Sequence, residues 1–225
     1  MTADRRPGGR RARRALAALA GKGFNFDPDQ AEHFTTANGW KVDDYAQPLP
    51  SEPPGPPRPG GSFEVAQRLL GDYAFADPAI VRAVYAEDSH LERRDMLLEG
   101  RFLGLRFHFG VRVGGLVDEE LVSDGRRLRR WGWNYRTLQG HLEMGQMDYE
   151  VRKWLDSGQV EFRIHAVSRP AHIANPVIRL GFRLFGRRVQ RRFARRACLR
   201  MARLTAAQAR AGAGAAAADP PATSF

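Results

Sequence analysis

Arg130-Trp-Gly-Trp-Asn-Tyr135, Thr137-Leu-Gln-Gly-His-Leu-Glu-Met-Gly145, Ser168-Arg-Pro170 and the Arg-studded run from Pro176 to Leu204 decide the fold. Side chains alternate across an extended chain, so Trp131, Trp133 and Tyr135 share one face of a strand. Upstream, Leu103, Leu105, Phe107, Phe109, Val111 and Val113 alternate with Gly104, Arg106, His108, Gly110, Arg112 and Gly114, a run long enough for two strands or one curved one. Leu116–Val122 supplies the next strand, and Ser123-Asp-Gly125 a hairpin turn. Downstream, Met147, Tyr149 and Val151 alternate, Asp156-Ser-Gly158 turns, and Val160, Phe162, Ile164 and Ala166 alternate again. Alternating runs joined by short turns predict an antiparallel meander. The period then lengthens: Ile178, Phe182, Phe185, Val189, Phe193, Ala197, Met201 and Leu204 recur every three or four residues, the apolar stripe of a long helix. Gly181 and Gly186 each cost about 1 kcal/mol there and predict a kink or an irregular first turn. The expected class is α+β, a sheet with one face covered by a helix.

Working toward the N-terminus, Ser62 is the expected cap of a helix through Gly71. A second short helix is expected from Pro78, capped by Asp77, through Ile80, Val81 and Val84. Trp40, Val42 and Tyr45 suit one further half-buried strand. Seven prolines among the fourteen residues 48–61 predict a semi-rigid connector. The division is therefore a basic, disordered leader (1–23), an N-terminal extension and Pro-rich connector (24–61), the folded domain (62–204) and a disordered Ala/Gly/Pro tail (205–225). The leader's apolar core is too short for a secretory signal.

Of the net charge of +11, residues 1–22 carry +6 and 171–225 carry +10, while 23–170 carry −5. Arg supplies 33 of the 36 bases, which looks like base composition of the genome and weakens a nucleic-acid inference from charge alone. The single Cys198 cannot form an internal disulfide, is read as a small buried hydrophobe, and suits a reducing, cytoplasmic location. No run of about 18 uncharged apolar residues is present to cross a bilayer as a helix.

Thr137-Leu-x-Gly140-His-x-Glu143-x-Gly145, then Ser168-Arg169-Pro170, then Arg188-Val-Gln190-Arg-Arg-Phe193 resembles the family called domain of unknown function 1990, over roughly Ser62 to Leu204. The resemblance implies a helix-grip fold of the START and pollen-allergen type, a curved antiparallel sheet around a long C-terminal helix with a cavity between them. It implies no activity. Thr137, Gly140, Gly145, Ser168, Arg169, Pro170 and Gln190 are the motif positions it marks. Arg136, Gln139, Gln146 and Met147 stand where the family pattern has Gly, Pro, Glu and Glu, which removes a carboxylate pair.

His141 and Glu143, two apart on an extended chain, point the same way and are the candidate base and orienter of a cofactor-free enzyme. The plainer reading is a turn whose imidazole and carboxylate bond nearby backbone. No His or Cys spacing suggests a metal, and no cofactor is expected. Arg106, His108, Arg112, Arg136, Glu150, Glu161, Arg163 and His165 lie out of phase with the large apolar residues and are expected on the solvated outer face. The leading expectation is an apolar or amphipathic small molecule held between sheet and helix, walled by Phe107, Phe109, Trp131, Trp133, Tyr135, Phe162, Phe182 and Phe193. The alternative is attachment to anionic membrane through the basic ends; nucleic acid fits less well, because the helix phenylalanines fall on the apolar stripe.

Overall fold

The alternation around Trp131 is realised in strand β5 (Arg126–Thr137), where Trp131, Trp133, Tyr135 and Thr137 are buried and the intervening Asn134 and Arg136 are half-buried. The computed structural model describes residues 9–102, 105–173 and 175–218. Around β5 are β1 (Lys41–Leu49), β2 (Val81–Val84), β3 (Asp95–Phe102), β4 (Leu105–Ser123), β6 (Glu143–Trp154) and β7 (Val160–Pro170). They pair antiparallel in one open sheet of order β1-β7-β6-β5-β4-β3-β2. Three α-helices accompany it among the described residues: α1 (Gly9–Ala17), α2 (Ser62–Gly71) and α3 (Pro176–Ala218). A meander with a long C-terminal helix on one face is the helix-grip arrangement.

Tyr149, Phe75 and Phe162 are fully buried between the sheet, α2 and α3, with ring centroids 4.7 Å apart for Phe75–Tyr149 and 5.5 Å for Phe75–Phe162. Trp133 donates its indole N–H to the Leu70 carbonyl at 3.2 Å, tying β5 to α2. From α3, Phe193, Ala197 and Met201 complete this core. Cys198 is buried beside them, and burial pushes its thiol up to about 11, so it packs as an inert hydrophobe.

Several expectations are corrected. Residues 81–84 are strand rather than helix: Asp77 ends its segment by accepting the Ala79 N–H in a local turn, and the β-branched Val81 and Val84 then pair with β3. Leu116–Val122 is no separate strand; β4 runs unbroken to Ser123 with a register shift between Val113 and Gly115. Ser62 is the first helical residue of α2 and not its cap; its hydroxyl donates to the Pro50 carbonyl. In β1 it is Val42 that faces solvent, while Asp43, Tyr45 and Leu49 point inward. The 24–61 segment is part of the domain, since β1 pairs with β7 along its whole length. The leader is folded from Gly9: Leu19 packs with Val84, Leu97 and Leu138 on the sheet face opposite α3, and Arg112 donates to the Leu19 and Lys22 carbonyls. The expected tail is helix as far as Ala218, because alanine propagates an established helix readily. α3 is continuous through Gly181 and Gly186. Leu103, Gly104, residues 1–8 and 219–225, and the side chains of Arg106, Ile178, Phe182 and Phe185 lie outside the described residues.

The Pro-rich connector is pinned by a buried ion pair. Lys153 Nζ, with no exposed surface, donates to Glu52 Oε2 at 2.6 Å and to the Pro56 carbonyl at 2.8 Å. Glu52 Oε1 accepts the Phe63 N–H of α2 at 2.8 Å. One carboxylate thus ties β6, the connector and the first turn of α2 together.

Candidate functional site

At one end of the sheet the inner face carries small residues in register: Gly145 pairs with Ser168, and Met147 with Ala166. Above them α3 presents Gln190 and Ala194. Between lies a cavity of about 60 Å³, also lined by Asp43, Tyr45, Tyr135, Thr137, His141, Glu143, Met144 and Met147. Gly145 is required there: its φ is +155°, and a Cβ would sit 2.0 Å from the Val167 carbonyl oxygen. Thr137 fixes the same corner. Its hydroxyl accepts the Gly145 N–H at 2.9 Å and donates to Asn25 Oδ1 at 2.6 Å, while Asn25 Nδ2 donates to the Glu143 carbonyl at 2.8 Å.

Glu143 is the polar centre. Gln190 Nε2 donates to its Oε2, whereas Glu143 Oε1 and Gln190 Oε1 are buried with no donor among the described residues. Burial pushes the Glu143 carboxyl up to about 7, against Lys41, the Gln190 bond and Arg187, which pull it down. Arg187 is itself bidentate on Asp43 at the pocket rim. Behind the pocket, Tyr149 donates to the Met147 sulfur at 2.9 Å and Tyr135 to the same atom at 3.5 Å.

His141 and Glu143 line one pocket but form no dyad. The Glu143 backbone N–H donates to His141 Nδ1 at 3.0 Å, so that nitrogen carries the lone pair and the proton of the neutral ring sits on Nε2. The imidazole tilts against Phe109 at 4.9 Å, and burial lowers its pKa to about 4. The carboxylate bonds Gln190 rather than the imidazole.

The motif positions converge. Thr137, Gly145, Ser168 and Gln190 line the cavity; Arg169 and Pro170 end β7 opposite Met144 and Glu143; and Gly140, at φ +88°, turns the chain into β6. Ser168-Arg169-Pro170 is the final stretch of strand β7. The expected aromatic walls do not gather here. Of them, Tyr135 alone is among the described residues lining the cavity. Trp131, Trp133, Phe162 and Phe193 are consumed in the core, because Tyr73 and Phe75 fill the space a ligand would need. Phe107 and Phe109 stack on each other, 6.1 Å apart. Sequence reasoning missed Asp43, Met147, Ala166 and Ala194. The inward phase of Asp43 with Tyr45 was the available signal. Among the described residues, no three His, Cys, Asp or Glu side chains gather as a metal site.

A family model described as a domain of unknown function (DUF1990) matches residues 28–200. The chain belongs to this family. The DUF1990 match takes in β1 and stops within α3, so it spans every strand and the whole cavity lining. No curated protein matches. Among solved structures, the crystal structure of Ara h 8.0201 is similar over 75% of this chain and 99% of its own, at 7% identity and TM-score 0.41. The hypothetical protein jhp0584 from Helicobacter pylori is similar over 83% of this chain and 96% of its own, at 12% identity and TM-score 0.42.

The Glu143 environment predicts a pH signature. Its carboxyl titrates near 4.5 when unfolded and about 7 when folded, so between these values the native state holds a proton the unfolded chain has lost. Stability contributed by this group is present below pH 4.5 and falls as pH rises through 7, by up to about 3 kcal/mol. Glu143→Gln is expected to be more stable than the parent at pH 8 by up to that amount and equal to it near pH 4.5. Urea unfolding at the two pH values measures this, and equal stability at pH 8 would contradict it.

Proposed function

We propose that the protein binds a small amphipathic molecule between the sheet and α3, with an N–H or O–H group of the ligand donating to Glu143 and Gln190. The observation that carries this is the pair of buried oxygens, Glu143 Oε1 and Gln190 Oε1, that have no donor among the described residues. Such an atom costs about 1–3 kcal/mol, and native proteins rarely leave one unmet. Around the pair the lining is mostly apolar, from Tyr45, Tyr135, Met147, Ala166, Val167 and Ala194. The volume lies well below the roughly 300–1,000 Å³ of drug-sized pockets, so the enclosed part of the ligand is limited to a handful of heavy atoms.

Methyl-labelled methionine gives the test. Met144 and Met147 line the pocket, and the fully buried Met201 serves as a folding reference. Titration with small alkylamines, alcohols and phenols is expected to shift the Met144 and Met147 methyl resonances and leave Met201 in place. The double variant Glu143→Leu, Gln190→Leu, with an unmoved Met201 signal, is expected to lose the response. No shift with any probe, or shifts that survive the double substitution, would overturn the reading.

Proton transfer by Glu143, without a cofactor, is a second reading. It is supported by a carboxyl held near neutrality in a pocket, where it both accepts and releases a proton. On that reading Glu143→Gln retains the ligand but no longer converts it.

A further inference from the structure

We propose that the outward face of α3 docks on an anionic lipid bilayer. From Pro176 to Ala218 the helix carries eleven arginines and no acidic residue. Arg188, Arg192, Arg195, Leu199 and Arg203 succeed one another at steps of three or four residues, which makes them one stripe about 22 Å long on a helix rising 1.5 Å per residue. All five are exposed, and so is Arg191 beside them. None of these arginines has a carboxylate partner among the described residues, unlike Arg187 on Asp43 or Arg196 on Asp77 at 3.8 Å. The charge on this face is therefore not there to hold the fold together.

Leu199 decides between partners. It is 63% exposed in the middle of the stripe, and Leu180, 58% exposed, stands toward the N-terminal end of the same helix. On a bilayer, guanidinium groups fork onto lipid phosphates while a leucine among them enters the acyl boundary. A nucleic-acid surface would use stacking rings or amide side chains for base edges. The stripe has neither: Phe193 is in the core, Gln190 is on Glu143, and Gln208 accepts from Arg68.

Docking rests on α3 and not on both basic ends. Leu97 and Leu98 are neighbours on β3 with side chains on opposite faces; Leu98 joins the core beneath α2 and α3, and Leu97 packs with Leu19 of the leader. One flat surface therefore cannot meet the described part of the leader and the α3 stripe together.

The test is co-sedimentation of the full chain with vesicles of phosphatidylglycerol and phosphatidylcholine in equal parts, against pure phosphatidylcholine. Binding is expected to the anionic vesicles alone and to fall steeply with added salt. Arg188→Glu, Arg192→Glu, Arg195→Glu together are expected to weaken it by at least about tenfold with the thermal midpoint little moved, since all three are exposed and none has a carboxylate partner among the described residues. Arg13→Glu, Arg14→Glu on α1 is expected to leave binding intact. Equal binding to neutral vesicles, an unaffected triple variant, or tighter binding to duplex DNA than to the anionic vesicles would overturn the proposal.

Discussion

Lys153→Met is expected to destabilise the protein by about 3–5 kcal/mol, because it strands the Glu52 carboxylate, only 9% exposed as a residue, without its counter-charge. The pair's geometry leaves little room for relaxation: Lys153 Nζ sits 2.6 Å from Glu52 Oε2, whose other oxygen is committed to the Phe63 N–H. Urea unfolding at pH 7 measures the loss. Adding Glu52→Leu to Lys153→Met is expected to recover part of it, since two apolar side chains cost less than one uncompensated buried charge. A single-variant loss below about 1 kcal/mol would mean that water reaches the pair.

Gly145→Ala is the second large effect. A Cβ would approach the Val167 carbonyl oxygen to 2.0 Å and Ser168 Cα to 2.9 Å, both backbone atoms of the neighbouring strand. A φ of +155° is strained for any L-residue in addition. Strain and overpacking together are expected to cost on the order of 4 kcal/mol. Relief would come by pushing β6 away from β7, which lengthens the 2.9 Å bond from Gly145 N–H to Thr137 and opens the floor of the pocket. Amide exchange is therefore expected to accelerate at Gly145 and Ser168 first. A variant as stable as the parent would show that this corner is loosely packed.

How far the sequence could be read follows from which forces act locally. Trp131, Trp133 and Tyr135, and Phe162 with Ile164, keep a period of two because β5 and β7 have one buried face, and that signal needs no partner to be visible. The α3 stripe through Val189, Phe193, Ala197 and Met201 is visible for the same reason. Pro78 after Asp77 looked like a helix start, yet the β-branched residues that follow pair with β3; propensity at the turn lost to a neighbour distant in sequence. The leader's fate turned on Leu19, with Ala15 and Leu16 beside it, finding an apolar patch on the far face of the sheet, which composition does not reveal.

The site was half legible. His141, Glu143, Thr137, Gly145, Ser168 and Gln190 were marked by the family motif, and they do converge. What they form was not visible, because the aromatic residues expected to wall a cavity are matched by Tyr73 and Phe75, which arrive from the loop after α2 to fill it. Between the sheet and α3, space remains among the described residues where Gly145, Ala166, Ser168 and Ala194 are too small to close it.

The most direct measurement is a carbon-13 NMR titration of the Glu143 side-chain carboxyl in the full chain, assigned by its disappearance in Glu143→Gln. A midpoint near 7 is the predicted result, as expected of a carboxyl buried under α3 beside an unmatched Gln190 oxygen. A midpoint near the 4.5 of an ordinary glutamate would contradict it, because a solvated Glu143 cannot centre an enclosed binding pocket.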